Sequence, residues 1–240
     1  MIRKCLFAVI VLVLAAQAAI AKEPQELFNG KDLSGWDGDP ALWSVEDGAI
    51  VGRTKADAPL KNNEFLIWKG GDVNDFKLTL QYRIEGGNSG VQYRSKVVDP
   101  AKWIVAGYQA DIDSSPTYTG ILYEERERGI LAKRGERATI DREGKATTEN
   151  FGDAAELQKA VHTNDWNDYE IEVRGPRMKH TINGKLMSET IDRDKKNRDK
   201  SGVLALQIHA GPPMTVQFRK ILLEPLEPKA KNPKPRAKKQ

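Results

Sequence analysis

Residues 76–84 read FKLTLQYRI. Phe76, Leu78, Leu80, Tyr82 and Ile84 alternate with Lys77, Thr79, Gln81 and Arg83, nine residues of strict period two that suit a strand with one face in a core and exclude an amphipathic helix. The same alternation recurs in both directions. Upstream, Trp43–Glu46 and Ala49–Gly52 flank Asp47-Gly48, a two-residue turn signal, and Phe65–Trp68 is a further short strand. Downstream, Tyr169, Ile171 and Val173 alternate with Glu170, Glu172 and Arg174. Met178–Ile182 and Leu186–Thr190 then enclose Asn183-Gly184, the strongest hairpin signal in the chain. Gly202–His209 is apolar on both sides at Val203–Leu206, as a central strand would be, with Gln207 and His209 on one face at its end. In Val216–Leu223 the apolar phase slips between Phe218 and Ile221, the mark of a bulge near Arg219-Lys220. Asn150–Val161 is the one helix expected, and Glu26–Trp36 reads as an edge strand and loop. Ten or more strands with almost no helix predict an all-β sandwich of two antiparallel sheets.

The ends differ in kind from this middle. Met1–Ala21 has basic Arg3 and Lys4, an apolar run from Leu6 to Ala16 and a small-x-small site at Ala19–Ala21, which predicts a secretory signal peptide and an exported, periplasmic or extracellular protein with no transmembrane segment. Cys5, the only cysteine, belongs to that leader, so the remaining chain has no disulfide, no thiolate ligand and no thiol nucleophile. Residues 229–240, KAKNPKPRAKKQ, form a basic tail with nothing apolar to bury, expected to be disordered and suited at most to an anionic envelope polymer. Removing the two leader cations and the six of the tail takes the whole chain's +4 to −4 for residues 22–228. The single expected domain, 22–228, is thus mildly acidic, and no nucleic acid is expected as a partner.

Chemistry concentrates in GYQADIDSSPTYTGILYEERERG, residues 107–129. Gln109, Asp111 and Asp113 share a strand face, with the two aspartates on the order of 6–7 Å apart, a spacing suited to metal ligation, proton transfer or sugar hydroxyls. Glu124 and Glu125 follow a turn, and one of them must face away if the segment is extended. Candidate catalytic groups are therefore His209, Asp111, Asp113 and Glu125. Asp111, Asp113 and Glu124 are the candidate ligands of a divalent metal, for which oxygen donors favour Ca²⁺, Mn²⁺ or Mg²⁺; no organic cofactor is expected. In NSGVQYR, Asn88, Gln92 and Arg94 share a face and are candidates for sugar hydroxyls, as are Gln109, Tyr123 and Gln207. Trp103 is a candidate stacking residue. His162 and His180 are expected to be solvated.

ELFNGKDLSGW, NSGVQYR, GYQADID with TGILYEE, WNDYEIEV with INGK, and LALQIHAGPPMTVQFRKILLEPL occur in the order of the signature segments of the 3-keto-disaccharide hydrolase domain family, which the chain resembles over residues 25–226. The resemblance implies a concanavalin A-like jelly roll related to laminarinase-type glycosidases, a carbohydrate substrate whose glucose unit is a ketone at C3, and cleavage of its glycosidic bond. Laminarinase-type enzymes carry two glutamates flanking an aspartate at alternating positions; here the alternation is Gln109, Asp111, Asp113. That departure favours C2 proton abstraction and elimination over double displacement. A conventional glycoside hydrolase and a non-catalytic glycan-binding module remain the alternatives.

Overall fold

The computed structural model describes residues 23–227, so the expected leader and basic tail lie outside the described residues. In chain order the strands are β1 (Gln25–Glu26), β2 (Trp36–Asp37), β3 (Trp43–Glu46), β4 (Ala49–Arg53), β5 (Glu64–Trp68), β6 (Phe76–Glu85), β7 (Asn88–Asp99), β8 (Ile104–Asp113), β9 (Leu122–Glu125), β10 (Gly129–Ala132), β11 (Glu136–Ile140) and β12 (Ala146–Asn150). After the short helix α1 (Ala154–Gln158) come β13 (Asn167–Arg174), β14 (Arg177–Ile182), β15 (Lys185–Asp192), β16 (Val203–Ile208) and β17 (Thr215–Pro225). They form a ten-stranded sheet, β12-β11-β15-β14-β13-β6-β17-β4-β3 with β1 beside β17, and a seven-stranded sheet, β10-β9-β8-β7-β16-β5-β2. All pairings are antiparallel except β11 with β15. This is the concanavalin A-like jelly-roll sandwich, and no helix among the described residues is long and apolar enough to cross a membrane.

The alternation of β6 is realised residue by residue: Phe76, Leu78, Leu80, Tyr82 and Ile84 are buried while the residues between them are half-exposed. β6 lies between β13 and β17, and its inner face meets Tyr93, Tyr108, Ile112, Leu206 and Ile208 of the other sheet in one core. Each such large apolar side chain contributes about 1.5–3 kcal/mol when buried. Asp47-Gly48 and Asn183-Gly184 both have positive φ at the two turn residues, as the hairpin signals required. The expected bulge in β17 is present, with the register shifting between Arg219 and Leu222 and Lys220 at φ 52°.

The helix is shorter than expected. Asn150 ends the exposed edge strand β12, and the helix begins only after Asp153, whose side chain caps it by accepting from Ala155 and Glu156 amides. No residue of α1 is buried, so nothing in its packing extends it into residues 150–153.

Candidate functional site

The seven-stranded sheet has a second face, turned away from the core, and the strand register collects the polar residues there. Gln92 stands opposite Gln109, Gly90 opposite Asp111 and Asn88 opposite Asp113 across β7 and β8. Tyr123 is opposite Gln109, and Glu125 opposite Gly107, across β8 and β9. Since paired residues share a face, one surface carries all of these, and β16 adds Gln207 with His209 just past the strand end. Gly90 makes room for this row: a Cβ there would sit 2.5 Å from Cγ of Gln109. The result is a cleft of about 630 Å³, lined by Asn88, Gln109, Asp111, Asp113, Tyr123, Glu125 and His209 and closed by Asn63, Ala210 and Pro212. A volume of this order accommodates a sugar unit.

Asp111 is buried on the cleft floor. Its Oδ1 accepts from Asn88 Nδ2 (3.0 Å), the Ile112 amide (3.1 Å) and Gln109 Nε2 (3.4 Å), and no cation pairs with it. Burial pushes its carboxyl up to about 8 against these donors, so it carries a proton at neutral pH. Gln109 and Gln207 separate it from Glu125: Gln207 Nε2 donates to Gln109 Oε1 (2.8 Å) and lies 3.4 Å from Glu125 Oε2. Glu125 also accepts from Asn63 Nδ2 at 3.2 and 3.3 Å, and its nearest cation, Arg126, is 3.9 Å away. Burial raises its carboxyl as well. Asn63 has a second task, since its Oδ1 accepts the Ala210 amide (2.9 Å) and so fixes the chain immediately after His209. Asp113 lines the rim, where its carboxylate accepts from the amide and hydroxyl of Ser115 and shapes the following turn.

Several sequence expectations are corrected here. Arg94 does not face the cleft. β7 bulges after Tyr93, Arg94 takes φ 49°, and its buried guanidinium donates to the carbonyls of Asn74 and Gly175 and to Asp75, a structural role. Glu124 points to the core side of β9, where Arg128 holds it with Asp192 and Tyr108, so it cannot join Asp111 and Asp113. Gln92 and Gln207 are fully buried beneath the cleft rather than lining it; Gln92 lies 2.9 Å from Gln109 and orients it. Trp103 is a loop anchor, its indole donating to Asp37 and its carbonyl accepting from Phe65. His180, expected in solvent, is buried between the sheets, with Nε2 3.0 Å from the Tyr93 hydroxyl and Nδ1 3.1 Å from the Ile121 carbonyl. His162 is exposed as expected. Sequence reading missed Asn63, Tyr118, Ile121 and Ile130; nothing in KNNE or in single apolar residues beside turns distinguishes them.

Among the described residues, three acidic groups bring ligand atoms within 4.8 Å of one another at Glu124, Glu127 and Asp199, outside the cleft. Lys96 Nζ already sits between Glu127 (3.4 Å) and Asp199 (2.7 Å), and Arg128 occupies Glu124. Among the described residues, the cleft carboxyls do not form such a three-ligand cluster. The cleft's donor set as it stands does not fit a three-carboxylate metal site.

A jelly roll whose exposed sheet face holds an amide-carboxyl cleft of sugar size defines a carbohydrate-active protein. The profile of the 3-keto-alpha-glucoside-1,2-lyase-like domain matches residues 23–224, and the chain belongs to that family. Among curated sequences no relative matches. Similar solved structures include a glycosyl hydrolase candidate from Parabacteroides distasonis ATCC 8503 (TM-score 0.55, 19% identity, 85% of this chain and 100% of that one). A protein of unknown function with a galectin-like fold from Bacillus subtilis gives TM-score 0.57 at 11% identity over 86% and 96% of the two chains. The carbohydrate-binding module CBM66 from Bacillus subtilis gives 0.52 at 15% identity over 79% and 95%. At these identities the likeness is one of fold.

Proposed function

We propose that this protein is an exported enzyme that cleaves the glycosidic bond of 3-keto-glucosides by C2 proton abstraction and elimination, followed by hydration. The observation that carries the reading is Asp111, a buried, cation-free carboxyl that keeps its proton at neutral pH on the floor of a sugar-sized cleft. A protonated carboxyl can donate to the C3 carbonyl oxygen and stabilise the enolate that forms when C2 loses its proton. A double displacement would instead need a nucleophile and an acid flanking the bond with only substrate between them, whereas two glutamine amides lie between Asp111 and Glu125.

His209 takes the C2 proton, and its electron pair forms the enolate C2=C3–O⁻ hydrogen-bonded to Asp111. Collapse of the enolate restores the C3 carbonyl, forms C1=C2 and breaks the C1–O bond. Glu125, whose raised carboxyl is a source of a proton, protonates the departing oxygen. Water then adds across the double bond, hydroxyl to C1 and proton to C2, giving the 3-keto sugar. Asn88 and Asp113 face the sugar hydroxyls.

The test uses a 3-keto-glucoside deuterated at C2. Aglycone release with loss of deuterium, and a slower rate than for the protiated compound, is the expected result. Release with the label retained in every product, or no release from the 3-keto compound alongside turnover of an unoxidised glucoside, overturns it.

A further inference from the structure

Beside the cleft lies a second cavity of about 400 Å³, and the two share three lining residues, Tyr118, Ile121 and Ile130. Tyr118, in the turn before β9, and Ile130, on edge strand β10 opposite Tyr123, make a ridge above the buried Ile121. Only four large apolar side chains are exposed among the described residues, and two of them, Tyr118 and Ile130, each 44% exposed, make this ridge. The other two, Val97 and Val98, lie elsewhere on β7.

Three of the polar side chains around the second cavity are already engaged. Arg134 donates to the carbonyls of Ala154 (2.9 Å), Thr119 (2.7 Å) and Pro116 (2.6 Å). Asp153 caps α1, and Glu136 accepts the Lys133 amide. A sugar ring laid on the ridge would give up water from its hydroxyls against apolar side chains, a net cost, whereas a flat apolar ring would gain by covering it. Glu125, the group assigned to protonate the departing oxygen, belongs to β9, beside this ridge.

We propose that the second cavity is the leaving-group subsite and receives an aromatic aglycone seated on Tyr118 and Ile130, an inference that rests on the cleft being the glycosidic site. The preference is for an aryl-bearing alcohol over a second sugar. A ring that buries roughly 55 Å² on the ridge corresponds to about tenfold.

The experiment compares ethyl and 2-phenylethyl 3-keto-glucosides, whose alcohols are similar leaving groups, together with a 3-keto-disaccharide. The expected result is kcat/KM about tenfold higher for 2-phenylethyl than for ethyl, a ratio that collapses towards one in Ile130→Asp, with Tyr118→Ala in parallel. A ratio near one in the unaltered protein, a ratio untouched by Ile130→Asp, or a preference for the disaccharide overturns the inference. Calorimetric binding of the same pair gives a second reading. A tenfold affinity preference without any cleavage supports the subsite while sinking the catalytic reading, and equal affinities overturn the subsite whatever the turnover.

Discussion

Glu124 and Glu125 are chain neighbours on β9, both buried, and they meet opposite fates on the two faces of one sheet. On the core face Glu124 is held by Arg128, which also reaches Asp192, while Tyr108 donates to Asp192 at 2.5 Å. On the cleft face Glu125 has amide donors from Asn63 and Gln207 and its nearest cation 3.9 Å away, and Asp111 has amide donors and no cation at all. The core face compensates the charges it buries. Burial raises the carboxyls on both faces, but at Glu124 the Arg128 guanidinium opposes the rise, whereas on the cleft face mostly neutral amide donors do, and that difference in compensation separates a reactive surface from a structural one.

The sharpest way to break this comparison is to remove each charge in turn. Glu125→Gln should fold normally and lose about 10²- to 10⁴-fold in kcat, the usual worth of a general acid. Glu124→Gln strands Arg128 beside a weaker partner and should cost about 2–4 kcal/mol, below the top of the range for a broken buried pair because Arg128 keeps Asp192. Denaturation midpoints and initial rates on both variants decide it. If Glu124→Gln destroys activity at unchanged stability, the two faces have been assigned the wrong way round.

The two histidines on opposite faces of the sheet, His180 and His209, sharpen the same contrast. The Ile121 carbonyl can only accept, so Nδ1 of His180 carries the proton and Nε2 accepts from the Tyr93 hydroxyl, a neutral ring with both nitrogens satisfied. Burial pushes its pKa down to about 4. The unfolded chain binds this proton from about pH 6.5 downwards and the folded chain only near 4, so stability falls as pH drops across that window, by about 3 kcal/mol. Denaturant titrations at pH 7 and pH 4.5 should show the loss, and His180→Phe should be less stable at pH 7 yet lack that slope. His209, half-buried at the cleft, is open to substrate.

Asp111 behaves in the opposite sense. Its folded pKa of about 8 lies above that of an unfolded aspartate, so the folded chain keeps a proton that the unfolded chain releases, and this contribution to stability is lost as pH rises from about 4 through 8. The hydrogen-bond donor it offers to substrate is lost in the same range. The kcat/KM profile should therefore fall above about pH 8. Asp111→Asn, which keeps a donor that does not titrate, should be slower by about tenfold or more at pH 7 and should lack the alkaline fall. An unchanged alkaline limb in that variant would assign the titration to another group.

Much of this was legible in the sequence because period-two alternation reports burial directly: β6, β13, the two Gly hairpins and the β17 bulge follow from side-chain order alone. The cleft row Gln109, Asp111, Asp113 was legible for the same reason, as were Asn88 and Tyr123, each on a strand beside it. What escaped was set by single backbone departures and by long-range pairing. Arg94 follows the alternation of Asn88, Gly90 and Gln92 until a bulge turns it into the interior. His180 alternates with Lys179 and Thr181 on a hairpin that looks exposed, and only the second sheet laid over it, with Tyr93 and Ile121, makes it a core residue. Glu124 and Glu125 were known to part company, but which one faced the core depended on the register of β9 against β8.

Asn63 is the finest test of how the cleft is held, because it touches both a reacting group and the chain beside another. Its Nδ2 donates to both Glu125 oxygens and its Oδ1 accepts the Ala210 amide. Asn63→Ala removes two donors that favour the ionised form of Glu125, so the Glu125 carboxyl should move further up, and it frees the chain just after His209. The expected loss in kcat is about tenfold, with KM for the 3-keto-glucoside changed less, since Asn63 reaches Glu125 rather than the Asp111 end of the cleft. Asn63→Asp separates the two tasks: its oxygen can still accept the Ala210 amide, but it places a second carboxylate against Glu125 and should raise the Glu125 carboxyl more than alanine does. If the pH above which kcat falls moves upward in both variants and further in the aspartate, Asn63 positions the proton donor; if kcat falls alike in both with the profile fixed, its work is confined to the loop after His209.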